Sequence, residues 1–462
     1  MFRSIVNTFS NCFKIPELKS RIIFTIVVLA ICRLETYIRI PGLDSTVLSN
    51  AYDAAQRSGG TGPLGLASMF SGGALQKCAI GALTIIPYIS ATIIIQLLGA
   101  VVPQLSKMMR EEGGRAKIIQ YGRYLTVVLC LGYGLFTAFS YEHPDTLLGQ
   151  QNVGRLVLYP DSWIWWYRIQ TTIILTTGTM LLMWLGEQIT ERGIGNGVSL
   201  IITVNILSRL PDAATGIRDM FFSTAASESK ANIGHAIALF LLLVGVMAGI
   251  IAVTQAQRKI PVTYAQRAVG RKVYAGGTNY MPLRVNYAGV MPVIFASSIL
   301  MFPQQIAQRI GSAFHLKFFN DLAAHLYEEA GVYIVIYSLL ILFFSYFWVA
   351  TQFNELQIAD DLKKNGGYIP GVRPGQATSE YLHNTMSRIT LAGAVFLVII
   401  AVIPIIMGRV MHIPQYVSQF FGGTSMLIAV GVMLDTMRQM ESHLLMRHYD
   451  GFLKKGRLKG RF

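Results

Sequence analysis

Long runs without a charged residue recur along the whole chain. Residues 78–106 form one run of 29 residues, and residues 233–257 and 330–354 form two more of 25 residues each. A helix needs about 17–25 largely apolar residues to cross the roughly 30 Å hydrocarbon layer of a bilayer. The core of a soluble domain would show shorter runs broken by polar positions. The pattern therefore predicts a protein that crosses the membrane many times.

Ten stretches that are largely apolar, with few or no charged residues, predict ten transmembrane helices. They cover about 21–40, 78–102, 117–140, 164–185, 195–209, 233–256, 286–308, 331–353, 389–407 and 416–436. The fifth run is the shortest, because only 16 residues separate Arg192 from Arg209. An even number of spans places both ends of the chain on the same side of the membrane.

Glycine and proline interrupt several of these runs. Residues 69–90, MFSGGALQKCAIGALTIIPYIS, begin with a stretch that meets Gly72, Gly73 and then Lys77 before the long run starts, and this stretch is too short to span a bilayer. Further breaks occur at Pro87, Gly195, Gly197, Gly289, Pro292, Gly422 and Gly423. Non-helical backbone at membrane depth persists only where protein buries it or water hydrates it. The breaks fit either a pore or close helix packing through small residues, and both interpretations stay open.

The charged residues indicate the orientation of the chain. The net charge is +15, although only 14% of the residues are charged. The loop 257–285 contains six basic residues and no acidic residue, whereas the loop 141–162 has a net charge of −2. Because Lys and Arg concentrate in cytoplasmic loops, both termini are predicted to be cytoplasmic. The basic excess fits either anionic lipid headgroups or a docking surface for nucleic acid or an acidic protein, and composition leaves both open.

Several functional classes find no support in the sequence. It contains no GxxxxGK[ST] nucleotide loop, no HExxH metal motif and no CxxC pair, so no catalytic, metal or cofactor residue is predicted. A solute transporter would show a charge or a polar pocket in mid-span, and an intramembrane enzyme would show clustered polar residues. The intramembrane charges Arg33, Glu35 and Arg168 instead lie towards helix ends, as interface anchors or a local ion pair. Apolar residues at helical spacing also predict an amphipathic cytoplasmic helix over 1–20.

Five blocks of sequence together resemble the SecY family, the channel subunits of the bacterial protein-export translocon. The first is GEQITERGIGNGVSLII at 186–202, which is similar to the turn between the fourth and fifth helices of that family. The others are MFSGGAL with PYISATIIIQLL, RVNYAGVMPVIFASSI, YIPGVRPGQAT and FFGGTSMLI, at 69–75 with 87–98, 284–299, 368–378 and 420–428. The blocks occur in the family's order and extend along most of the chain.

This resemblance implies an all-α membrane protein with two inverted, pseudo-symmetric halves of five helices. The halves would be 21–210 and 233–437, joined by an external hinge loop at 211–232, with cytoplasmic loops at 257–285 and 354–387 and a basic tail at 438–462. It implies a channel in the bacterial plasma membrane that conducts unfolded secretory chains and releases membrane helices sideways into lipid. The implied partners are the small subunits SecE and SecG, the ATPase SecA, the translating ribosome, signal sequences with their nascent chains, and anionic lipids.

The resemblance also assigns two barriers in the channel. The stretch 62–75 matches the plug, a short helix that blocks the closed channel, with Leu64, Leu66, Met69 and Phe70 supplying apolar surface and Gly72 and Gly73 a hinge. A mid-membrane ring of apolar side chains matches Ile85, Ile89, Val198, Ile202, Ile294 and Ile428. Valine at 198 departs from an all-isoleucine ring and leaves it one methyl looser. Ile400, in the ninth helix, is expected to face lipid.

The remaining matches concern the gate and the cytoplasmic face. Gln96, Asn196 and Thr424 match a polar cluster beside the family's lateral gate. Arg373 matches the loop-tip arginine that contacts SecA and the ribosome, and the neighbouring prolines and glycines predict a turn that presents it outward. The basic residues of the preceding loop complete the predicted docking surface, namely Arg258, Arg267, Arg271 and Lys272. The resemblance therefore favours docking over lipid orientation alone.

Overall fold

The computed structural model describes most of the chain and is predominantly helical. It describes residues 15–57, 68–110, 113–144, 154–222, 233–264, 267–269, 272–274, 277–314, 316–326, 330–410 and 424–455. Most of the predicted N-terminal amphipathic helix therefore lies outside the described residues. So do Leu64 and Leu66 of the predicted plug, and the tail beyond residue 455.

The first half of the chain contains eight described α-helices. They are α1 (Pro16–Glu35), α2 (Ser45–Arg57), α3 (Ile86–Val101), α4 (Pro103–Arg110), α5 (Gly114–Glu142), α6 (Ile164–Arg192), α7 (Gly197–Leu207) and α8 (Leu210–Phe222). A 3₁₀ turn, Ile80–Leu83, precedes α3. Helices α1, α3, α5, α6 and α7 correspond to the first five predicted spans.

The second half contains seven described helices and five strands. The helices are α9 (Ile233–Gln255), α10 (Met291–Phe314), α11 (Lys317–His325), α12 (Gly331–Gln352), α13 (Glu355–Lys364), α14 (Gln376–Val410) and α15 (Thr424–Lys455). The strands are β1 (Gln257–Tyr264), β2 (Arg267–Val269), β3 (Lys272–Tyr274), β4 (Thr278–Arg284) and β5 (Gly367–Tyr368). Helices α9, α10, α12, α14 and α15 correspond to the last five predicted spans.

Six helices of the described residues are long and apolar enough to cross a membrane by length and composition alone. They correspond to the second, third, fourth, sixth, eighth and ninth predicted spans. The other four are shorter or more polar. Helix α7 has only 11 residues, α10 has an apolar stretch of Met291–Leu300, and α1 and α15 each include charged turns at one end.

Several predicted boundaries are wrong, for local reasons. The first helix ends at Glu35 rather than near residue 40. The seventh begins at Met291 rather than 286, because Gly289 has a φ of +63° and the Asn286 side chain donates a hydrogen bond to its carbonyl, which makes a turn before the helix. The tenth helix continues as one element to Lys455, so the described part of the predicted tail is helical.

The predicted loops also contain regular structure. The predicted external loop 211–232 includes most of α8, and the predicted cytoplasmic loop 354–387 includes α13, β5 and the start of α14. The loop 257–285 is a β-structure in which β1 pairs antiparallel with β4 on one edge and with β5 on the other. Strands β2 and β3 form a small hairpin at its tip. A long run without charged residues predicts a membrane span, but it does not predict the shorter helices and strands in the loops.

The two halves meet in the middle of the helical bundle. Helix α3 contacts α10, and α7 contacts α15, so each contact joins an element of the first half to one of the second. One large apolar cluster runs through these contacts. Ile400 belongs to it and is only 8% exposed, so the expectation that Ile400 faces lipid is wrong. Gly249 of α9 leaves the space into which its side chain packs.

Candidate functional site

All six predicted ring residues lie in that one apolar cluster. Five are buried, and Val198 is partly buried and packs against the cluster. They come from four places in the fold: Ile85 and Ile89 at the start of α3, Val198 and Ile202 in α7, Ile294 in α10, and Ile428 in α15. The structure therefore places all six, from both halves of the chain, in one shared apolar cluster.

The turn before α7 positions two of these ring residues. Gly195 adopts a φ of +91°, which favours glycine, and its N–H donates a hydrogen bond to Gln439 Oε1 of α15 at 2.9 Å. Asn196 then caps the helix, since its side chain accepts a hydrogen bond from the Ser199 N–H. A Cβ on Gly197 would collide with the Gly186 carbonyl of α6, so only glycine permits this close approach. The turn thus fixes the start of α7 against both α6 and α15.

The described part of the predicted plug, residues 68–75, is a short stub packed into the protein. Met69 and Phe70 are buried, and Phe70 belongs to the same apolar cluster as the ring. Residues 68–70 make a single helical turn, and irregular turns follow up to the 3₁₀ turn before α3. Gly72 and Gly73 have φ values of +58° and +89°, so the predicted break in the helix occurs where glycine permits it.

Polar side chains also hold the stub. Arg33 Nη2 donates a hydrogen bond to the Gly72 carbonyl at 3.0 Å, and Asn205 Nδ2 donates one to the Phe70 carbonyl at 3.1 Å. Ser425 Oγ lies 3.0 Å from Met69 Sδ in hydrogen-bonding geometry. Arg209 donates a hydrogen bond to Ser68 Oγ, while its other terminal nitrogen pairs with Asp212 at 2.7 Å. The side chains of Arg33, Asn205, Arg209 and Ser425, together with Ser68, form what we call the stub cradle.

Sequence reasoning misses the role of the cradle. From the sequence alone, Arg33 is interpreted as an interface anchor and Asn205 as one residue of the fifth apolar run. The sequence does contain a weak signal for these contacts. Asn205 is a lone amide in an otherwise apolar helix, and Arg209 follows shortly after the end of that helix. Of the other two intramembrane charges, Arg168 forms an ion pair with Glu142 at 2.7 Å. Glu35 is buried, and neither carboxylate oxygen has a hydrogen-bond partner among the described residues.

The three residues of the predicted gate cluster occupy different environments. Asn196 is exposed and caps α7, Thr424 is buried at the first turn of α15, and the Gln96 Oε1 atom is buried without a hydrogen-bond partner in the described part of the chain. Hydrogen bonds among the three are absent from the described structure. Their role at a gate stays a prediction.

On the predicted cytoplasmic face, the two predicted docking loops are built as one unit. Thr263 and Tyr264 of β1, in the first loop, pair with Tyr368 and Gly367 of β5, in the second. Apolar side chains from both loops and from the ends of α12 and α14 fill a shared core, including Ile260, Val262, Leu283, Phe353, Ile369 and Leu382. The second loop is therefore fixed to the first.

The basic residues of these loops lie at the edges of this unit. Arg258 and Arg373 are exposed. Arg373 sits between Gly371 and Gly375, whose φ values are +85° and +103°, and its carbonyl accepts a hydrogen bond from Thr378 Oγ1 at 2.9 Å, which holds the turn. The backbones of Arg267 and Lys272 lie in the tip hairpin, and Arg271 lies outside the described residues.

Comparisons with known proteins agree with this architecture. The SecY family model matches residues 79–437. The protein translocase subunit SecY of Chlamydia trachomatis is 43% identical over 98% of this chain and 99% of its own length. The subunit of the same name from Thermotoga maritima is 40% identical over the same shares of the two chains.

Solved structures show the same fold. A structure described as that of a protein-conducting channel matches with a TM-score of 0.59 at 16% identity, and one concerning the plug domain of the SecY protein with 0.57 at 16%. Sec61 in a canine ribosome–channel complex matches with 0.56 at 15%. Each match covers 95% of this chain and 94% of the other.

Fold and similarity together define an all-α, ten-span membrane protein of the protein-conducting channel class. The chain belongs to the SecY family. This confirms the family predicted from the five sequence blocks, and nothing among the comparisons supports the solute-transporter alternative.

Proposed function

We propose that the chain forms the pore of a bacterial protein-export translocon in the plasma membrane. It would conduct unfolded secretory polypeptides and release the helices of membrane proteins sideways between its two halves. The observation that carries this proposal is the convergence of six apolar side chains, from four helices and both halves, in one cluster that also includes Phe70 of the stub. Membership of a family of protein translocase subunits supports the same function.

The ring would act as the seal of the resting channel. A narrow apolar constriction keeps ions out because water leaves it, so no charged gate is required. The stub would act as a plug that fills the pore beside the ring, with Phe70 packed in the same cluster. A solved relative concerns a SecY plug domain that stabilises the closed state, which supports this assignment.

The energy for transport would come from partner proteins. The sequence has no nucleotide-binding P-loop, so we propose that the chain is not itself an enzyme and that SecA or a translating ribosome supplies the driving force. A related channel has been solved in a ribosome–channel complex, which supports the second partner. SecE, SecG and anionic lipids would complete the assembly, and both termini would face the cytoplasm.

Conduction can be tested by placing a photo-crosslinking amino acid at Ile428. During export of a precursor stalled by a folded domain, we expect this position to crosslink to the precursor. The matched control is Ile399, which is 44% exposed on the outside of α14. Crosslinking to the precursor from Ile399 but not from Ile428 would contradict the proposed path.

Docking can be tested with Arg373→Glu. Because the proposed partners would meet this exposed cationic turn with negative charge, as the phosphates of ribosomal RNA do, reversing the sign would convert attraction into repulsion. Binding of SecA to reconstituted channels is expected to fall at least about tenfold, as for the loss of a close charge pair. Lys363→Glu, on exposed α13 of the same loop, makes the same charge change away from the turn and controls for net charge. Equal binding by both variants would refute the assignment of Arg373.

A further inference from the structure

The stub of residues 68–75 is fixed by directional polar contacts as well as by apolar packing. Resting on the proposal that it is the plug, we infer that Arg33, Asn205, Arg209 and Ser425 position it and set how readily the channel opens. These side chains come from the end of α1, from α7 and the turn after it, and from the first turn of α15. They surround the stub from three sides of the bundle.

Two of the four contacts satisfy backbone carbonyls of the stub. The stub is irregular after its one helical turn, so the Phe70 and Gly72 carbonyls accept hydrogen bonds from Asn205 and Arg33. A buried carbonyl without a donor is costly, particularly at membrane depth. Removing either donor therefore penalises the closed position of the stub. It leaves the displaced position, where water can reach the carbonyl, unaffected.

Both glycines of the stub make room for these side chains. A Cβ on Gly72 would collide with Arg33 Nη1, and a Cβ on Gly73 would lie 3.1 Å from Arg209 Nη2. The sequence indicates that Gly72 and Gly73 act as a hinge. The structure gives them a second role, because without side chains there the two guanidinium groups can approach the backbone directly.

The cradle also links the stub to both halves of the channel. Arg33, Asn205 and Arg209 belong to the first half, whereas Ser425 belongs to α15 of the second half. Ser425 lies three residues before the ring residue Ile428, on the same side of that helix. Movement of α15 away from α7 would therefore separate Ser425 from Met69 and Ile428 from the ring in one step. The cradle would in this way couple release of the stub to parting of the ring.

The test measures how often the stub leaves its place. In a channel purified with its membrane subunits and with its four native cysteines replaced by alanine, Ser71→Cys supplies a nearly isosteric reporter that is fully buried when the stub is seated. After reconstitution, its labelling rate with a membrane-impermeant maleimide is measured. Asn205→Leu, Arg33→Gln and Arg209→Gln are each expected to raise that rate about tenfold, because each removes a buried or partly buried hydrogen bond, two of them from charged donors.

Two further variants separate positioning from general destabilisation. Arg123→Gln breaks the ion pair with Glu187 between α5 and α6 and is expected to leave the labelling rate unchanged. Arg123 lies about 27 Å along α5 from Tyr141, whose hydroxyl donates a hydrogen bond to the Leu75 carbonyl of the stub. Arg33→Lys keeps a cationic donor and should label at a rate between wild type and Arg33→Gln. Unchanged labelling in all three cradle variants, or an equal increase with Arg123→Gln, would overturn the cradle.

Failure of the cradle and failure of the plug give different results. If a channel lacking residues 62–75 conducts no more ions than wild type, the plug function is wrong, whatever the labelling rates show. If that deletion conducts while the cradle variants label at the wild-type rate, the plug function stands and the cradle is refuted. Accelerated labelling together with a conducting deletion supports both.

Discussion

The ring residues and Phe70 of the stub lie in one apolar cluster, but different interactions hold the ring and the stub. The predicted ring consists of aliphatic side chains, such as Ile294 and Ile428, that pack in this cluster through dispersion and exclusion of water. The stub is attached by hydrogen bonds from arginine, asparagine and serine side chains. Apolar contact is non-directional, so a ring can widen gradually and close around chains of different sequence. Hydrogen bonds depend steeply on geometry, so the stub has one well-defined seated position.

This difference suggests a division of labour between the two proposed barriers. The ring would remain in contact with a moving polypeptide, because aliphatic side chains adapt to any sequence without requiring partners. The stub would not adapt in this way, and it would be either seated or displaced. Changes to the stub should therefore have the largest effect on the ion conductance of the resting channel. Changes to the ring should have smaller effects, which depend on the polarity and size of the new side chain.

Deleting residues 62–75 is expected to have the largest effect. It removes the cradle contacts and the burial of Met69 and Phe70, each worth roughly 1.5–3 kcal/mol. The channel should still assemble, because the stub does not span the membrane. Ion conductance of resting channels in planar bilayers should rise by about a hundredfold. If the deletion variant conducts no more ions than the wild type, the ring alone closes the channel.

Ile428→Asn is expected to have an intermediate effect, because it brings a polar group into the ring. Burying an unpaired amide costs roughly 1–3 kcal/mol in the closed state and little in the hydrated open state. The open-to-closed ratio should therefore rise by about five- to a hundredfold. Export of a reporter with a defective signal sequence, normalised to channel abundance, measures the change.

The control for this variant is a matched substitution outside the pore. Ile399→Asn places the same amide on the exposed face of α14, one position from the buried Ile400. It should lower the amount of protein without rescuing the defective reporter. If the two variants behave alike, Ile428 is an ordinary packing residue and the ring assignment fails.

Val198→Ile is expected to have the smallest effect, in the opposite direction. Val198 is the partly buried member of the ring, and isoleucine adds one methylene to the contact. A buried methylene is worth about 0.8 kcal/mol, so resting conductance should fall about fourfold in a channel that lacks residues 62–75. Using that deletion background removes the contribution of the stub. If conductance rises instead, the added methylene does not fit the ring, and the native Val198 does not leave the ring loosely packed.

The spans are predictable from sequence because the bilayer imposes a length. All ten predicted spans correspond to helices, and errors arise where local turns decide the boundary. Asn286 and Gly289 shorten the seventh helix, although both fall within an uncharged run. The loop 257–285 also contains the alternation of buried and exposed positions that is typical of a β-strand, since buried Ile260 and Val262 alternate with exposed Lys259 and Pro261. This alternation is independent of the uncharged runs that predict membrane spans.

The candidate site is predictable only in part. Resemblance predicts the ring positions, because they lie close to motifs of glycine and proline that the sequence shares with the family, and the structure places these positions in one cluster. The cradle cannot be found in this way, because Arg33, Asn205 and Ser425 are far apart in the sequence and meet only after folding. Asn205 gives a weak clue as an amide in an apolar helix. Its partner is the backbone carbonyl of Phe70. Because every residue has a backbone carbonyl, the sequence does not indicate which one accepts the hydrogen bond.

Helix α15 joins the predicted ring and the stub to the basic tail of the chain. It runs without a break from Thr424 to Lys455, so at 1.5 Å per residue it is about 48 Å long. Ser425 and Ile428 lie at one end, Gln439 contacts the turn before α7 near the middle, and the other end extends into the basic tail. If this helix moves as one rigid body about the Gln439 contact, a sideways push on its C-terminal end would swing the end that carries Ser425 and Ile428 the opposite way.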